Sequence, residues 1–148
     1  MHTHTAPLRS RDGVTLVELC LVLALVGILA SIATRQITRY LDRAAVRAAV
    51  AEAATVVLRA RDDAMAQRTP VSVRIDTTTA ALELSARGVV LSRAALGHAQ
   101  GVALSATRDS LTYDVRGLGY GAANLTMVAR RGAAAESLVV SRMGRVRW

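Results

Sequence analysis

Residues 14–34, VTLVELCLVLALVGILASIAT, form an apolar run of 21 residues whose one charge is Glu18. As a helix at about 1.5 Å per residue, the run would span about 31 Å, close to the roughly 30 Å hydrocarbon core of a bilayer. It therefore predicts a membrane-spanning helix. A carboxylate inside such a span costs roughly 2.5–3.5 kcal/mol. We therefore expect Glu18 either to lie near the membrane interface or to pair with a cation, such as a newly exposed N-terminal amine.

The segment before the apolar run, residues 1–13, is polar and ends at Gly13. One alternative is an ordinary secretory signal peptide, in which Arg9 and Arg11 form the basic region and the Ser-Ile-Ala sequence at 31–33 is the cleavage site. The apolar run is long for such a peptide, contains a glutamate and continues into a helical pattern. These features favour a membrane helix that stays attached to the protein.

Gly13, followed by Val-Thr-Leu-Val-Glu at 14–18 and an apolar helix, resembles the leader signal of type IV pilins and pseudopilins. The resemblance implies that residues 1–13 are a leader, which a prepilin peptidase removes between Gly13 and Val14. It also implies that the new N-terminus at Val14 is methylated and that Glu18 neutralises the terminal amine of a neighbouring subunit during filament assembly. Val14 departs from the family pattern, which usually has Phe or Met there.

The resemblance further implies a single-pass protein of the bacterial inner membrane. Its head would lie in the periplasm and assemble with other pilins into a pilus or pseudopilus. The count of positive charges points the other way, because two arginines precede the span within residues 1–13 whereas four follow it within residues 35–47. We retain the topology of the pilin resemblance as the expectation.

The helix is predicted to continue beyond the membrane over residues 35–69. Between residues 14 and 68 there is no proline and Gly27 is the sole glycine, so the helix should end near Thr69-Pro70. Arg59 and Asp63 are spaced for an ion pair on the polar face. An apolar stripe at three- and four-residue steps should pack on a sheet; its members are Val46, Val50, Ala53, Val57, Ala60 and Ala64.

Four arginines at four-residue spacing form one ridge of this helix: Arg35, Arg39, Arg43 and Arg47. Like charges at this spacing repel by a few tenths of a kcal/mol per pair. The ridge fits a solvated face just outside the bilayer, and anionic headgroups could also hold it at about 1 kcal/mol per arginine. Contact with DNA is less favoured here, since this stretch would lie inside an assembled filament.

Residues 70–148 are predicted to form a β-rich head, which makes the fold class α+β: a long N-terminal helix packed on a small antiparallel sheet. Glycine-containing turns separate most of the strands, notably at 97–101 and 117–121. The predicted strands cover residues 71–75, 80–85, 89–92, 102–105, 111–115, 125–129 and 138–141.

The sequence points to no catalytic constellation, metal site or cofactor. The histidines are scattered, the serines lack a His/Asp setting, and the glycines at 117–121 lack the GK[ST] of a phosphate loop. The lone cysteine, Cys20, cannot form an intramolecular disulfide and suits a small apolar residue of the span. We therefore expect a protein that is not an enzyme.

The net charge of +8, with all 19 basic residues arginine, indicates an anionic partner, either nucleic acid or lipid headgroups. Near the C-terminus, LTYDVRGLGYG, NLTMVARRG and ESLVVSRMGRVRW resemble the GspH/FimT branch of the pilin family. FimT-like minor pilins of naturally transformable bacteria bind DNA through a C-terminal GRxR motif. Residues 144–147, Gly-Arg-Val-Arg, match that motif, so the resemblance implies double-stranded DNA as a partner.

The residue types fit this role. Gly144 allows a tight turn, and Arg145 and Arg147, two apart on an extended segment, should point to the same side. Residues 130–148 hold five arginines and one acid, so Arg130, Arg131 and Arg142 are further candidates for phosphate contacts. The alternative for the motif arginines is a solvated turn. Trp148 could stack on a base, but we expect it to cap the core.

We therefore predict a minor pilin that captures double-stranded DNA without sequence preference for natural transformation. A structural GspH-type pseudopilin of a type II secretion system and a minor pilin that only primes assembly are the alternatives. The C-terminal arginines favour the first.

Overall fold

A computed structural model describes residues 13–120 and 124–148 of the chain. The predicted leader, apart from Gly13, lies outside these residues. In order, the elements are α1 (Leu16–Ala66), β1 (Val71–Asp76), β2 (Ala81–Ala86), β3 (Val89–Ala95), α2 (Leu96–Gln100), β4 (Ala103–Ala106), β5 (Ser110–Tyr113), β6 (Leu125–Arg131), β7 (Ala134–Val140) and β8 (Val146–Arg147).

The chain divides into two compact units, Met1–Ile37 and Thr38–Trp148. In the first unit, α1 begins at Leu16, and the Thr15 hydroxyl caps it by accepting a 3.2 Å hydrogen bond from the Glu18 N–H. Every described side chain of this unit is exposed. By length and composition, α1 could cross a membrane, as predicted.

In the second unit, called the head below, α1 buries the predicted stripe. All six of its members are at most 2% exposed, together with Ala49 and Ala54. The helix ends at Ala66, just before Arg68 adopts a φ of 49° and Pro70 removes a backbone donor. On the polar face, Arg59 Nε lies 3.8 Å from Asp63 Oδ2, the predicted ion pair.

The β-rich part of the head consists of two four-stranded antiparallel sheets, where the sequence predicted a small antiparallel sheet. The first sheet has the order β3-β2-β1-β5 and the second β4-β6-β7-β8. The buried apolar side chains of both sheets and of the α1 segment within the head form one hydrophobic core. The α+β fold class is confirmed, with each predicted strand present and β8 in addition.

Two local predictions are wrong. Residues 97–101, predicted as a turn, mostly belong to the short helix α2, which begins with the fully buried Leu96 and ends at Gly101 with a left-handed φ of 65°. Trp148, expected to cap the core, is 63% exposed. It follows the two-residue strand β8 at the edge of the second sheet, where no further element covers it among the described residues.

Candidate nucleic-acid interface

The Gly-Arg-Val-Arg motif comprises the end of the tight β7–β8 connection, at Gly144 and Arg145, and strand β8 itself. The Gly144 N–H donates a 2.9 Å hydrogen bond to the Ser141 carbonyl, and the Ser141 N–H donates one of 2.9 Å to the Arg145 carbonyl. Between the hydrogen-bonded residues Ser141 and Arg145, the three residues 142–144 form a turn that ends in a left-handed residue, Gly144, with a φ of 72°. The glycine is therefore required by backbone conformation, as predicted.

Arg145 and Arg147 both extend to solvent, while Val146 between them is half-buried. The pairing explains this alternation, because Val146 lies opposite buried Val140 whereas Arg147 lies opposite exposed Val139. The two guanidinium groups thus belong to one side of the sheet. The prediction from their two-residue spacing agrees with this geometry.

The outward face of the second sheet carries no acidic side chain in its four strands. Apart from arginine, its members are uncharged and no larger than valine: Ala103, Ser105, Thr126, Val128, Ala135, Ser137 and Val139. The outward face of the first sheet differs, since Glu83 lies between Arg74 and Arg93 on neighbouring strands. Only the second sheet therefore presents basic charge without a compensating acid.

The structure separates the three additional candidate arginines. Arg130 is exposed on the same outward face. It lies four residues along β6 from Thr126, and Val139 of β7 is paired with both Thr126 and Arg147. At about 3.3 Å per residue, this places Arg130 roughly 13 Å along the strands from Arg147 and roughly 10 Å across them. Arg142 is exposed within the β7–β8 loop. Both can contribute to one extended basic surface.

Arg131 has a different environment. Its Nε lies 3.1 Å from Asp42 Oδ1 on α1, and its guanidinium donates a 2.6 Å hydrogen bond to the Gln100 carbonyl. These partners hold the side chain on the side of the sheet that faces α1. Arg131 therefore connects elements of the head and is not available to an external phosphate in this conformation.

The position of the motif depends on a residue that sequence reasoning did not select. Arg61 on α1 donates a 3.1 Å hydrogen bond from Nε to the Gly117 carbonyl. Its side chain also contacts Gly144, where an added Cβ would lie 2.8 Å from Arg61 Cδ. Arg61 thus contacts both the loop that follows β5, at Gly117, and the β7–β8 loop, at Gly144. The glycines of these turns indicated that another part of the chain could approach their backbone closely, but nothing in the sequence identified Arg61 as that part.

A cleft of about 530 Å³ lies beside the motif, between the loop that follows β5 and the β7–β8 loop. Tyr120 and Met143 line it and are 77% and 73% exposed. Asp114 also lines it, and its Oδ1 accepts hydrogen bonds from the Arg116 and Leu118 N–H groups at 2.9 and 2.8 Å. The cleft thus combines apolar surface with a carboxylate and differs from the acid-free sheet face.

Behind this surface, Tyr113 is fully buried and its hydroxyl has no hydrogen-bond partner among the described residues. Burial raises the pKa of Tyr113 to about 12, and the nearby positive charge of Arg61 opposes that shift.

At the far end of the first sheet, hydrogen bonds from Thr79 and Thr78 lower the pKa of Asp76 and stabilise the β1–β2 turn.

The residues of the predicted leader signal lie together at the start of α1. Gly13, Val14 and Glu18 are all exposed. Thr15 and Glu18 occupy the first and last positions of a capping box, a signal that was readable in the sequence as Thr-x-x-Glu. Cys20 is also exposed. No group of three metal-ligating side chains occurs among residues 13–120 and 124–148.

Neither a known family model nor a curated protein matches this sequence. Solved structures do match. The type IV minor pilin FimU of Pseudomonas aeruginosa is similar with a TM-score of 0.60 and 17% identity, covering 69% of this chain and 86% of FimU. The minor pseudopilin EpsH from the type 2 secretion system of Vibrio cholerae is similar with a TM-score of 0.55 and 15% identity, covering 69% of this chain and 94% of EpsH. This chain therefore has the type IV pilin-like fold.

Proposed function

We propose that this protein is a minor pilin whose head binds double-stranded DNA without sequence preference, as a receptor for natural transformation. In this proposal, Gly13–Val14 is the prepilin peptidase site, Val14 becomes the methylated N-terminus and Glu18 pairs with a neighbouring subunit during assembly. The α1 segment anchors the protein in the inner membrane, and the head lies in the periplasm.

The observation that carries the DNA proposal is the acid-free outward face of the second sheet. Arg145 and Arg147 extend from one edge of this face and Arg130 from its far end. Their separation is of the same order as the about 12 Å width of the major groove, so they can contact phosphates on either side of one groove. Small side chains between them allow the DNA backbone to approach closely. Contacts of this type are independent of sequence and weaken with salt.

The test is fluorescence anisotropy of a labelled duplex with the full chain in neutral detergent micelles, across a salt series. Each phosphate contact contributes about −0.9 to the slope of the logarithm of the association constant against the logarithm of the salt concentration. If three or four arginines contact phosphates, that slope should therefore be about −3 to −4. Two duplexes of unrelated sequence should bind equally. Absence of binding at low salt would contradict the proposal.

A structural role without DNA is the second candidate, and the similarity to EpsH favours it. In this role the head would contact other pseudopilins of a type II secretion system, and the motif arginines would be solvated turn residues. The two candidates differ in the anisotropy experiment, because only the first requires the affinity for DNA to depend on Arg145 and Arg147.

A further inference from the structure

Three arginines of the predicted ridge lie on α1 beside the β6–β7 turn, at the opposite end of β7 from the DNA-binding motif. Arg39, Arg43 and Arg47 line two adjacent cavities of about 300 and 250 Å³. The opposite wall of both cavities is residues 133–134, which are alanines. Small side chains thus leave open space between this wall and the arginines, with volumes at or just below the small end of the range for ligand pockets.

The wall of this site is fixed in place. Gly132 has a φ of 54° and packs so closely on α1 that a Cβ there would overlap the carboxylate of Asp42. Asp42 in turn pairs with Arg131, which also donates to the Gln100 carbonyl. The β6–β7 turn is therefore held against the helix by several contacts, and the cavities are part of the folded head.

The site has a surplus of positive charge. It includes four arginines (39, 43, 47 and 131) and two acids, Asp42 and Glu136, a balance of +2. Each acid already has a partner, since Asp42 pairs with Arg131 and Glu136 lies 3.8 Å from Arg47. Arg39 and Arg43 form no ion pair among the described residues. Two guanidinium groups are thus available to an anion, with the geometry that favours phosphate oxygens.

The position of the site along the chain identifies the source of that anion. Arg39 follows Thr34, the last residue of the apolar run, by five residues. Five residues extend at most about 18 Å, so whatever the arrangement of the two units, Arg39 remains near the end of the membrane-spanning segment. Lipid headgroups are the phosphates present at that level.

We propose that Arg39 and Arg43, with the β6–β7 turn, bind the phosphate of an anionic glycerophospholipid. The lipid would fix the head relative to the bilayer before a subunit enters a filament. This inference needs the membrane-anchored topology but not the DNA-binding proposal, because the two sites use different arginines at opposite ends of β7.

The test is native mass spectrometry of the full chain in neutral detergent, titrated with dihexanoylphosphatidylglycerol, dihexanoylphosphatidylcholine or inorganic phosphate. The wild type should retain phosphatidylglycerol in preference to the other two. Arg39→Gln/Arg43→Gln should weaken phosphatidylglycerol binding about 30-fold, which corresponds to about 1 kcal/mol per arginine. Arg74→Gln/Arg93→Gln removes the same charge from the first sheet and should leave binding unchanged.

A second pair of variants leaves every arginine in place. Ala133→Asp introduces a carboxylate into both cavities and should abolish the preference for phosphatidylglycerol, whereas Ala133→Asn has the same size and should retain it. Equal binding of both lipids by the wild type, full displacement by an equal concentration of inorganic phosphate, or unchanged binding in Arg39→Gln/Arg43→Gln would each overturn the proposal. Loss of lipid preference with DNA affinity intact would separate this site from the proposed DNA receptor.

Discussion

The side chain of Arg61 fills the space that a side chain at position 144 would need: a Cβ on Gly144 would lie 2.8 Å from Arg61 Cδ and 2.9 Å from its Nε. The same Nε donates to the Gly117 carbonyl. The long helix therefore fixes the two loops that surround the motif arginines. We therefore expect Arg61 to act by positioning the turn, without contacting DNA.

Replacement of Arg61 should weaken DNA binding indirectly. Arg61→Met retains much of the side-chain volume but removes the hydrogen bond to Gly117, and loss of a bond from a charged donor costs about 1.5–3 kcal/mol in stability. We expect a lower unfolding midpoint and a several-fold loss of DNA affinity, with an unchanged salt slope because no phosphate contact is lost. A salt slope that becomes shallower by about 1 would instead indicate that Arg61 itself contacts phosphate.

Gly144→Ala should destabilise the head for two reasons. A left-handed conformation costs a residue with a Cβ about 1–2 kcal/mol, and the new methyl group would collide with Arg61. In the Arg61→Ala background the collision is absent, so the same substitution should cost less. A double-mutant cycle of unfolding free energies measures this coupling, and strict additivity would contradict the contact.

The charge of the outward face of the second sheet should control DNA affinity. Ser137 is exposed on this face, opposite Val128 and between the two ends that carry arginines. Ser137→Arg should strengthen duplex binding a few-fold at low salt and Ser137→Glu should weaken it by a similar factor, since one exposed charge contributes about 1 kcal/mol at close range. Ser137→Gln is the neutral control, and the effects of the two charged substitutions should disappear at high salt.

Stability should fall at alkaline pH because of Tyr113. Its pKa is raised to about 12 in the folded head, against about 10 in an unfolded chain. Between these values the unfolded state loses the proton first, so the free energy of unfolding decreases as pH rises through this window. Below pH 10 the effect is absent.

The matched variant is Tyr113→Phe, which removes a buried hydroxyl without a described partner. It should unfold at the same or higher temperature at pH 8 and lose the part of the alkaline decrease that Tyr113 causes. Parallel curves for the two proteins between pH 10 and 12 would show that Tyr113 does not titrate as expected.

Sequence patterns predicted the elements that depend on local periodicity. The alanine-rich helix has one glycine and a stripe at three- and four-residue steps, so α1 and its buried face from Val46 to Ala64 followed directly. The spacing of Arg145 and Arg147 likewise predicted their common side. Helix α2 was missed because it has five residues, too few to produce a period.

Contacts between distant residues could not be predicted in the same way. The bond between Arg61 and Gly117 joins positions 56 residues apart, and the partners of Arg131 come from α1 and α2. Among the three additional arginines, Arg131 was indistinguishable from Arg130 in sequence. Only the strand register places Arg130 outward and its neighbour toward the helix.

The proposed binding of DNA by Arg145 and Arg147 is tested by duplex anisotropy of Arg145→Gln/Arg147→Gln in the full chain. Arg74→Gln/Arg93→Gln, which removes the same net charge from the first sheet, is the control, and unfolding midpoints verify that both variants fold. We expect the first variant to lose at least about tenfold in affinity and its salt slope to be shallower by about 2, with little change for the control. Equal affinities for wild type and both variants would show that the motif arginines do not bind DNA, and a structural pseudopilin role would then be favoured.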